Sequence, residues 1–376
     1  AGREVMRHDG KTLHAIALGN SLFIGNDAGL NDDGIGDGVD NENTFIGVAA
    51  GYSNTVGINN TFLGNNAGAF NTSGSGNTLL GHEAGFKTTS TGNTMTGSNA
   101  GYNNTSGDKN NFSGYLAGYS NATGSENYFS GYRAGYSNTA SLNHFIGYEA
   151  GYANTSGSSN LFIGHEAGRQ NTTSSNNIFI GKKAGYANSS TSGRSIFIGY
   201  QAGANNAGDH NLFIGYNAGQ ANTSGVGNML TGYNAGYNNT EGSYNLFTGY
   251  YAGYANTTGE HNQFIGYRAG DSNTTGSENY FTGYQAGESN MSGYENYFTG
   301  YQAGKSNTLG ARNYSSGYQA GHANTTSSNN FSSGYQAGYS NRTSSNHFSG
   351  YKAGYFNTWG TQNQFVGNEA GNKNTT

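Results

Sequence analysis

The chain has 376 residues, 65 of them Gly, with no Pro and no Cys, 33% hydrophobic residues and a formal net charge of −5. Only 10% of residues are charged, which argues against disorder by self-repulsion, and a chain without a basic balance lacks what nucleic-acid binding needs. Without Cys there is neither a disulfide nor a thiolate metal site, and no apolar run reaches the length of a membrane span.

Residues 1–20 carry no repeat. They hold Arg3, Arg7 and Lys11 and an apolar stretch from Leu13 to Leu18. This segment is expected to form an N-terminal cap, with a second reading as a donated strand that pairs with the next subunit. A start at Ala1 instead of Met fits removal of a signal peptide and fits a truncated chain equally well.

From Gly25 to Gly371 the pattern Gly-x-x-Ala-Gly occurs 21 times; one interval is 22 residues and the other nineteen are 16, 17 or 18. A fixed short period without globular segments between copies means one small unit stacked many times. Seventeen residues are too few for two helices, and this Gly density would cost a helix about 1 kcal/mol per glycine relative to Ala. Short strands joined by turns fit easily. The absence of Pro agrees, because stacked ladders use the backbone N–H at most positions. The sequence therefore predicts an all-β fold, a β-solenoid of the β-roll type spanning 21–376. About 21 coils at roughly 4.8 Å each would make a rod of about 100 Å.

One copy, Asn262 to Glu278, shows the slots. The residue two before the first core Gly is Phe in 16 copies, and Leu79, Met95 or Leu230 in three; it is the candidate core. At Ser315 and Ser332 the slot is polar, and Tyr314 or Phe331, one residue earlier, would fill it by a local shift. The invariant Ala implies a narrow interior. The strand candidates are x-Phe-Ile-Gly-Tyr and x-Ala-Gly-Tyr, and Asn-Thr-x-Gly-x-x-Asn is read as the turn between coils. Asn and Gly tolerate left-handed backbone angles, which places the bends there. Aligned Asn side chains would also form amide ladders.

With the slots assigned, Asn-x-Phe-Ile-Gly-Tyr-x-Ala-Gly-Tyr-x-Asn-Thr-Thr-Gly-Ser resembles the 17-residue Asn-Thr-Ala-x-Gly-Tyr-x-Ala-Leu-Tyr repeats of bacterial tail-fibre-like surface proteins. It is similar, more distantly, to the β-roll heads of trimeric autotransporter adhesins. The resemblance covers about Asn20 to Asn374, with Gly here where the family has Leu. It implies an extracellular, fibrous protein at the cell surface, often trimeric, that acts as an adhesin or fibre.

Four surface features carry functional expectations. The interval after Gly29, an acidic insertion over 30–43, holds Asp32, Asp33, Asp37, Asp40 and Glu42, spaced by Gly as in loops that wrap oxygen ligands around Ca²⁺; a solvated acidic loop is the alternative. Tyr follows the first core Gly at Tyr200, Tyr216, Tyr233, Tyr250, Tyr267, Tyr284, Tyr301, Tyr318, Tyr335 and Tyr351, and also at Tyr115, Tyr132 and Tyr148. One ring per coil predicts an aromatic stripe, either self-stabilising or placed against a sister chain or glycans. Asn-x-Ser/Thr sequons at Asn71, Asn121, Asn154, Asn222, Asn256, Asn273 and Asn324 are candidate glycosylation sites, although turn chemistry alone demands Asn and Thr. The nine His, among them His165, His210 and His261, fall in variable slots without a recurring Asp or Ser; no catalytic constellation and no organic cofactor is expected. The composite expectation is a subunit of an extracellular fibre or filament, self-associating as a homopolymer or homotrimer through open solenoid ends or laterally. A glycan- or receptor-binding adhesin using the Tyr stripe is the alternative, with matrix or cell-surface glycans as partners. Ice binding ranks last, because Thr sits in adjacent, not alternating, slots.

Overall fold

The computed structural model of the chain describes residues 17–18, 20–32, 41–190 and 193–374. These fall into two compact units, 1–182 and 183–376. Most of the expected cap or donated strand over 1–20 lies outside the described residues. What is described of it, a short strand Ala17–Leu18, pairs antiparallel with Ser21–Ile24.

Each unit is a parallel β-solenoid and no helix occurs among the described residues, as the repeat predicted. In the first unit one short strand per coil runs from Ser21–Ile24 and Thr44–Ile46 to Ile178–Ile180. In the second the series runs from Ile196–Ile198 to Gln364–Val366. Neighbouring strands pair parallel with like slots opposite each other: Gln263 faces Tyr280, Phe264 faces Phe281, and Ile265 faces Thr282.

The other strand candidate, x-Ala-Gly-Tyr, is a turn. In the coil from Asn262, Arg268 (φ 54) and Gly270 (φ 58) both take left-handed angles, and Ala269 N–H donates back to Gly266 C=O at 3.3 Å. An extended strand cannot hold two such residues two positions apart. Glycine at 270 is required twice over: by its φ, and because a Cβ there would lie 2.6 Å from the Phe264 ring. The first core glycine answers to a different constraint, since a Cβ on Gly266 would strike the carbonyl of Gly283 in the next coil.

Backbone bonds between coils explain why Pro is missing. From this one coil Gln263 N–H reaches Asn279 C=O, Gly266 reaches back to Thr248, Arg268 to Tyr250, and Gly270 on to Ala286, all at 2.8–3.0 Å. A Pro in any of these slots would remove one donor from the ladder.

The interior is as narrow as the invariant Ala implied. Phe264, Phe281 and their equivalents are fully buried, as are Ala269 and Ala286. Successive Phe rings stack face to face, Phe247–Phe264 and Phe264–Phe281 both at 4.8 Å between centroids. Opposite the rings stand two columns of buried Asn. In one, the Asn273 side-chain N–H donates to Asn256 Oδ1 (2.7 Å) and to Gly276 C=O (3.0 Å). In the other, Asn262 donates to Gly276 C=O (2.8 Å) and accepts from the Asn279 backbone N–H (3.0 Å). The amides of these coils thus find partners inside the coil stack, which burial demands.

At Ser315 and Ser332 no register shift occurs. Ser315 faces Phe298 on one side and Ser332 on the other, and Ser332 faces Phe348, so both serines occupy the buried ring slot. Tyr314 and Phe331 keep the outward slot and stack with each other at 4.7 Å. The inter-coil backbone bonds and the second Asn column are intact here, from Asn296 through Asn313 to Asn330. A one-residue slip would break them all and turn every side chain to the opposite face.

Candidate functional site

The Tyr stripe exists in the second unit as an uninterrupted column. Ten rings from Tyr200 to Tyr351 stack with centroid separations of 4.8–5.4 Å and interplanar angles of 5–12°. Each is 37–45% exposed. The spacing is the coil repeat itself, so the stack costs the scaffold no distortion. Face-to-face stacking hides the ring faces and leaves edges and hydroxyls at the surface. In the first unit the same slot gives a shorter column, Tyr115–Tyr132–Tyr148–His165.

Two further aromatic columns escaped the sequence reading. One uses the residue after the second core Gly: Phe86, Tyr102, Tyr119, Tyr136 and Tyr152 stack at 4.9–5.2 Å, with the Arg169 guanidinium 5.1 Å over Tyr152. The other uses the first strand position: Tyr280, Tyr297, Tyr314, Phe331 and His347. The signal for them is Tyr at a constant offset from Gly, in slots where it recurs less often than in the stripe.

Beside the stripe, coils 250–271 form a pocket of about 430 Å³ lined by Tyr250, Tyr251, Tyr254, Tyr267, Arg268 and Asp271. Three departures from the repeat create it. Tyr251 stands in the slot before Ala, which holds no other Tyr in the chain; its ring tilts 45° to Tyr250 and 41° to Tyr254. Arg268 takes that slot one coil on. Asp271 replaces the ring that would continue the Tyr237–Tyr254 stack. Arg268 Nε bonds Asp271 Oδ2 at 2.7 Å and its Nη1 lies 2.8 Å from Glu288, which also meets Lys305 at 3.2 Å. Burial raises the Asp271 carboxyl above its ordinary value, with Arg268 opposing and Glu288 reinforcing the rise. Burial likewise raises the Tyr254 phenol, as do Tyr237, Tyr251 and Asp271.

Of the acidic candidates, Asp33, Asp37 and Asp40 lie outside the described residues. Asp32 occupies the ladder slot that is Asn in most coils, and its carboxylate accepts from the side chains of Asn41, Asn43 (3.1 Å) and Asn54 (3.3 Å). Asp suits that position because the amide column donates from each coil to the one before it, and an acceptor-only group can receive from all three. Glu42 takes a left-handed angle (φ 50) just before ladder residue Asn43. Among the described residues no group of three His, Cys, Asp or Glu comes together as a metal site.

The glycosylation expectation is corrected at all seven asparagines. Asn71, Asn121, Asn154, Asn222, Asn256, Asn273 and Asn324 are interior ladder residues, each at most 4% exposed. The amide nitrogen that would carry a glycan instead donates within the stack, for example Asn154 to Asn138 (2.7 Å) and Asn222 to Asn206 (2.7 Å). Comparison of the chain with protein-family profiles, curated proteins and solved structures finds no match in any of the three.

Proposed function

We propose that this chain is a structural subunit of an extracellular fibre and self-associates through the outer columns of its solenoid units. The observation that carries the reading is the ten-ring Tyr stripe: a regular, half-exposed aromatic strip on a scaffold whose interior is filled by stacked rings and bonded amides. Exposed aromatic surface of this extent marks an interaction site more often than a free face. The strip repeats with the coil, so it matches a second copy of itself at every register that is a whole number of coils. That is the geometry of a homopolymer or a homotrimer. The sequence resemblance to fibre and adhesin repeats points the same way.

Glycan binding along the stripe has less support, because a sugar stacks on an open ring face and these faces cover one another. Replacing Tyr267, Tyr284, Tyr301 and Tyr318 together by Ser tests the reading by analytical ultracentrifugation and electron microscopy. Assemblies that form with the native chain and vanish in the variant, with the β-spectrum kept, are expected. A native chain that stays monomeric, or assemblies indifferent to the four substitutions, would overturn it.

A further inference from the structure

We infer that the pocket lined by Tyr251, Tyr254 and Asp271 is a binding site for a neutral pyranose sugar, with the Tyr254 ring as its platform.

Tyr254 lies in the column after the second core Gly, beside the Tyr stripe and not in it; within the stripe every ring between Tyr200 and Tyr351 has a ring above and below. Tyr254 stacks on Tyr237 at 5.4 Å on one side, but the next coil offers Asp271 where the column would place another ring. The short carboxylate of Asp271 and the Tyr254 ring both line the 430 Å³ pocket. That volume lies within the range of about 300–1,000 Å³ usual for small-molecule sites. A pyranose chair that presents axial C–H groups on one face can enter such a pocket and pack those C–H groups on the phenol ring. Tyr251, tilted by 41° against Tyr254, walls one side.

The polar groups suit hydroxyls. Asp271 uses Oδ2 for Arg268 and leaves Oδ1 to accept from a ligand O–H. Arg268, 41% exposed at its side chain, keeps guanidinium N–H groups beyond those on Asp271 and Glu288 to donate to a ligand oxygen. An acceptor and a donor held in fixed relation by an ion pair are what adjacent sugar hydroxyls require. Charge selects further: Arg268 and Lys305 balance Asp271 and Glu288, so neither an anion nor a cation gains by entering. A quaternary ammonium would need rings spread around it. Here Tyr250, Tyr251 and Tyr254 touch each other at 4.6 and 4.9 Å, which leaves no gap between them.

This inference does not rest on the fibre reading, since a chain that never self-associates would still bind sugar. Saturation-transfer NMR with the full chain tests it, using methyl glucopyranoside, methyl galactopyranoside and N-acetylglucosamine, with choline chloride as the cationic comparison. Transfer to ring C–H protons of at least one pyranoside is expected. It should fall at least tenfold in Asp271→Tyr, which restores the residue found at 237, 254, 339 and 355 and fills the slot. Tyr251→Gln should weaken it too, and places in that slot the residue that Gln285 and Gln302 already put there, so folding is preserved. Tyr318→Ser, remote in the stripe, should leave it unchanged. No transfer from any pyranoside, transfer equal in Asp271→Tyr, or binding of choline in preference to sugar would each overturn the assignment.

Discussion

Within the second unit, the coils from Phe247 to Phe298 and those from Asn307 to Asn341 are built on the same repeat and hold together differently. In the first group the ring stack is continuous, and the Asn239, Asn256, Asn273 and Asn290 amides bond coil to coil at 2.6–2.7 Å. In the second group both devices lapse. Ser315 and Ser332 replace two rings, and Asn307 Oδ1 is buried without a partner because Asn324 donates only to Ser327 C=O. A Cβ placed on Gly304 lies 2.6 Å from Phe298 Cγ; placed on Gly321 it meets, beyond Ser315 Oγ, only Ser315 Cβ at 3.4 Å and Ser332 Oγ at 4.0 Å. Two ring positions are thus left to serine side chains, although beside Gly338 the Phe348 ring reaches in, its Cδ2 2.6 Å from an added Cβ. Yet the strands keep register. Register therefore belongs to the backbone ladder and the Asn313–Asn330 column, while the rings supply burial energy. A separate small core of Ala337, Phe348, Ala353 and Phe365 lies beyond the gap.

The comparison breaks most visibly at Phe264. Truncation to Ala removes a fully buried ring and two stacking partners, and should cost about 3–5 kcal/mol. Ser315→Ala, in the equivalent slot, should stay within about 0.5 kcal/mol. Denaturant melts check the pair, with hydrogen exchange resolving which coils open, since stacked repeats need not unfold as one. Equal costs at the two sites would mean that the rings are not the source of burial energy. Asn273→Ala comes next, at about 1–3 kcal/mol, because it strips the bond to Asn256, one of the two amide donors of Gly276 C=O and the acceptor of the Asn290 amide. Asn324→Ala should cost less, having no Asn neighbour to lose. Ser315→Phe sharpens the contrast from the other side. With only serine in the slot and the flanking Phe298 ready to stack, it should stabilise by about 0.5–2 kcal/mol, the usual return of filling a void. A destabilised variant would show that the backbone has already closed over the space.

The Phe and Ala slots were legible because burial imposes a constant residue type, and the period was legible because every coil repeats the same bonds. What the sequence hid was direction. An Asn in a surface turn and an Asn facing a narrow interior read alike, which is why sequons such as Asn71 and Asn121 suggested glycans while their amides in fact bond inside. The turn at Arg268 and Gly270 was mistaken for a strand because Ala-Gly-Tyr carries β-forming residues, whereas two left-handed angles decide the path. The Tyr251 pocket was invisible for another reason. Its parts are 3, 17 and 20 residues apart, and only the coil geometry makes an offset of 20 a contact, as it also does for Arg169 with Glu149 and Lys305 with Gln285.

The smallest expected effect concerns His322, in the weaker group of coils. Its ring stacks on Tyr339 at 4.8 Å, and its Nδ1 is buried without a hydrogen-bond partner. Burial, and then the nearby Lys305 charge, hold the imidazole below its ordinary value of 6.5. The folded chain therefore binds a proton at this site less readily than the unfolded chain does. The stability attached to a neutral His322 is complete above pH 6.5 and declines as the pH falls from there toward the depressed folded value. Denaturant midpoints followed across that interval should drop in the native chain and drop less in His322→Gln, which keeps a polar planar group but cannot titrate. Since Lys305 also pairs with Glu288, Lys305→Gln should shrink the same acid sensitivity from the other partner. Identical pH profiles in all three chains would locate the acid sensitivity elsewhere and remove His322 from the account of why these coils are the softer ones.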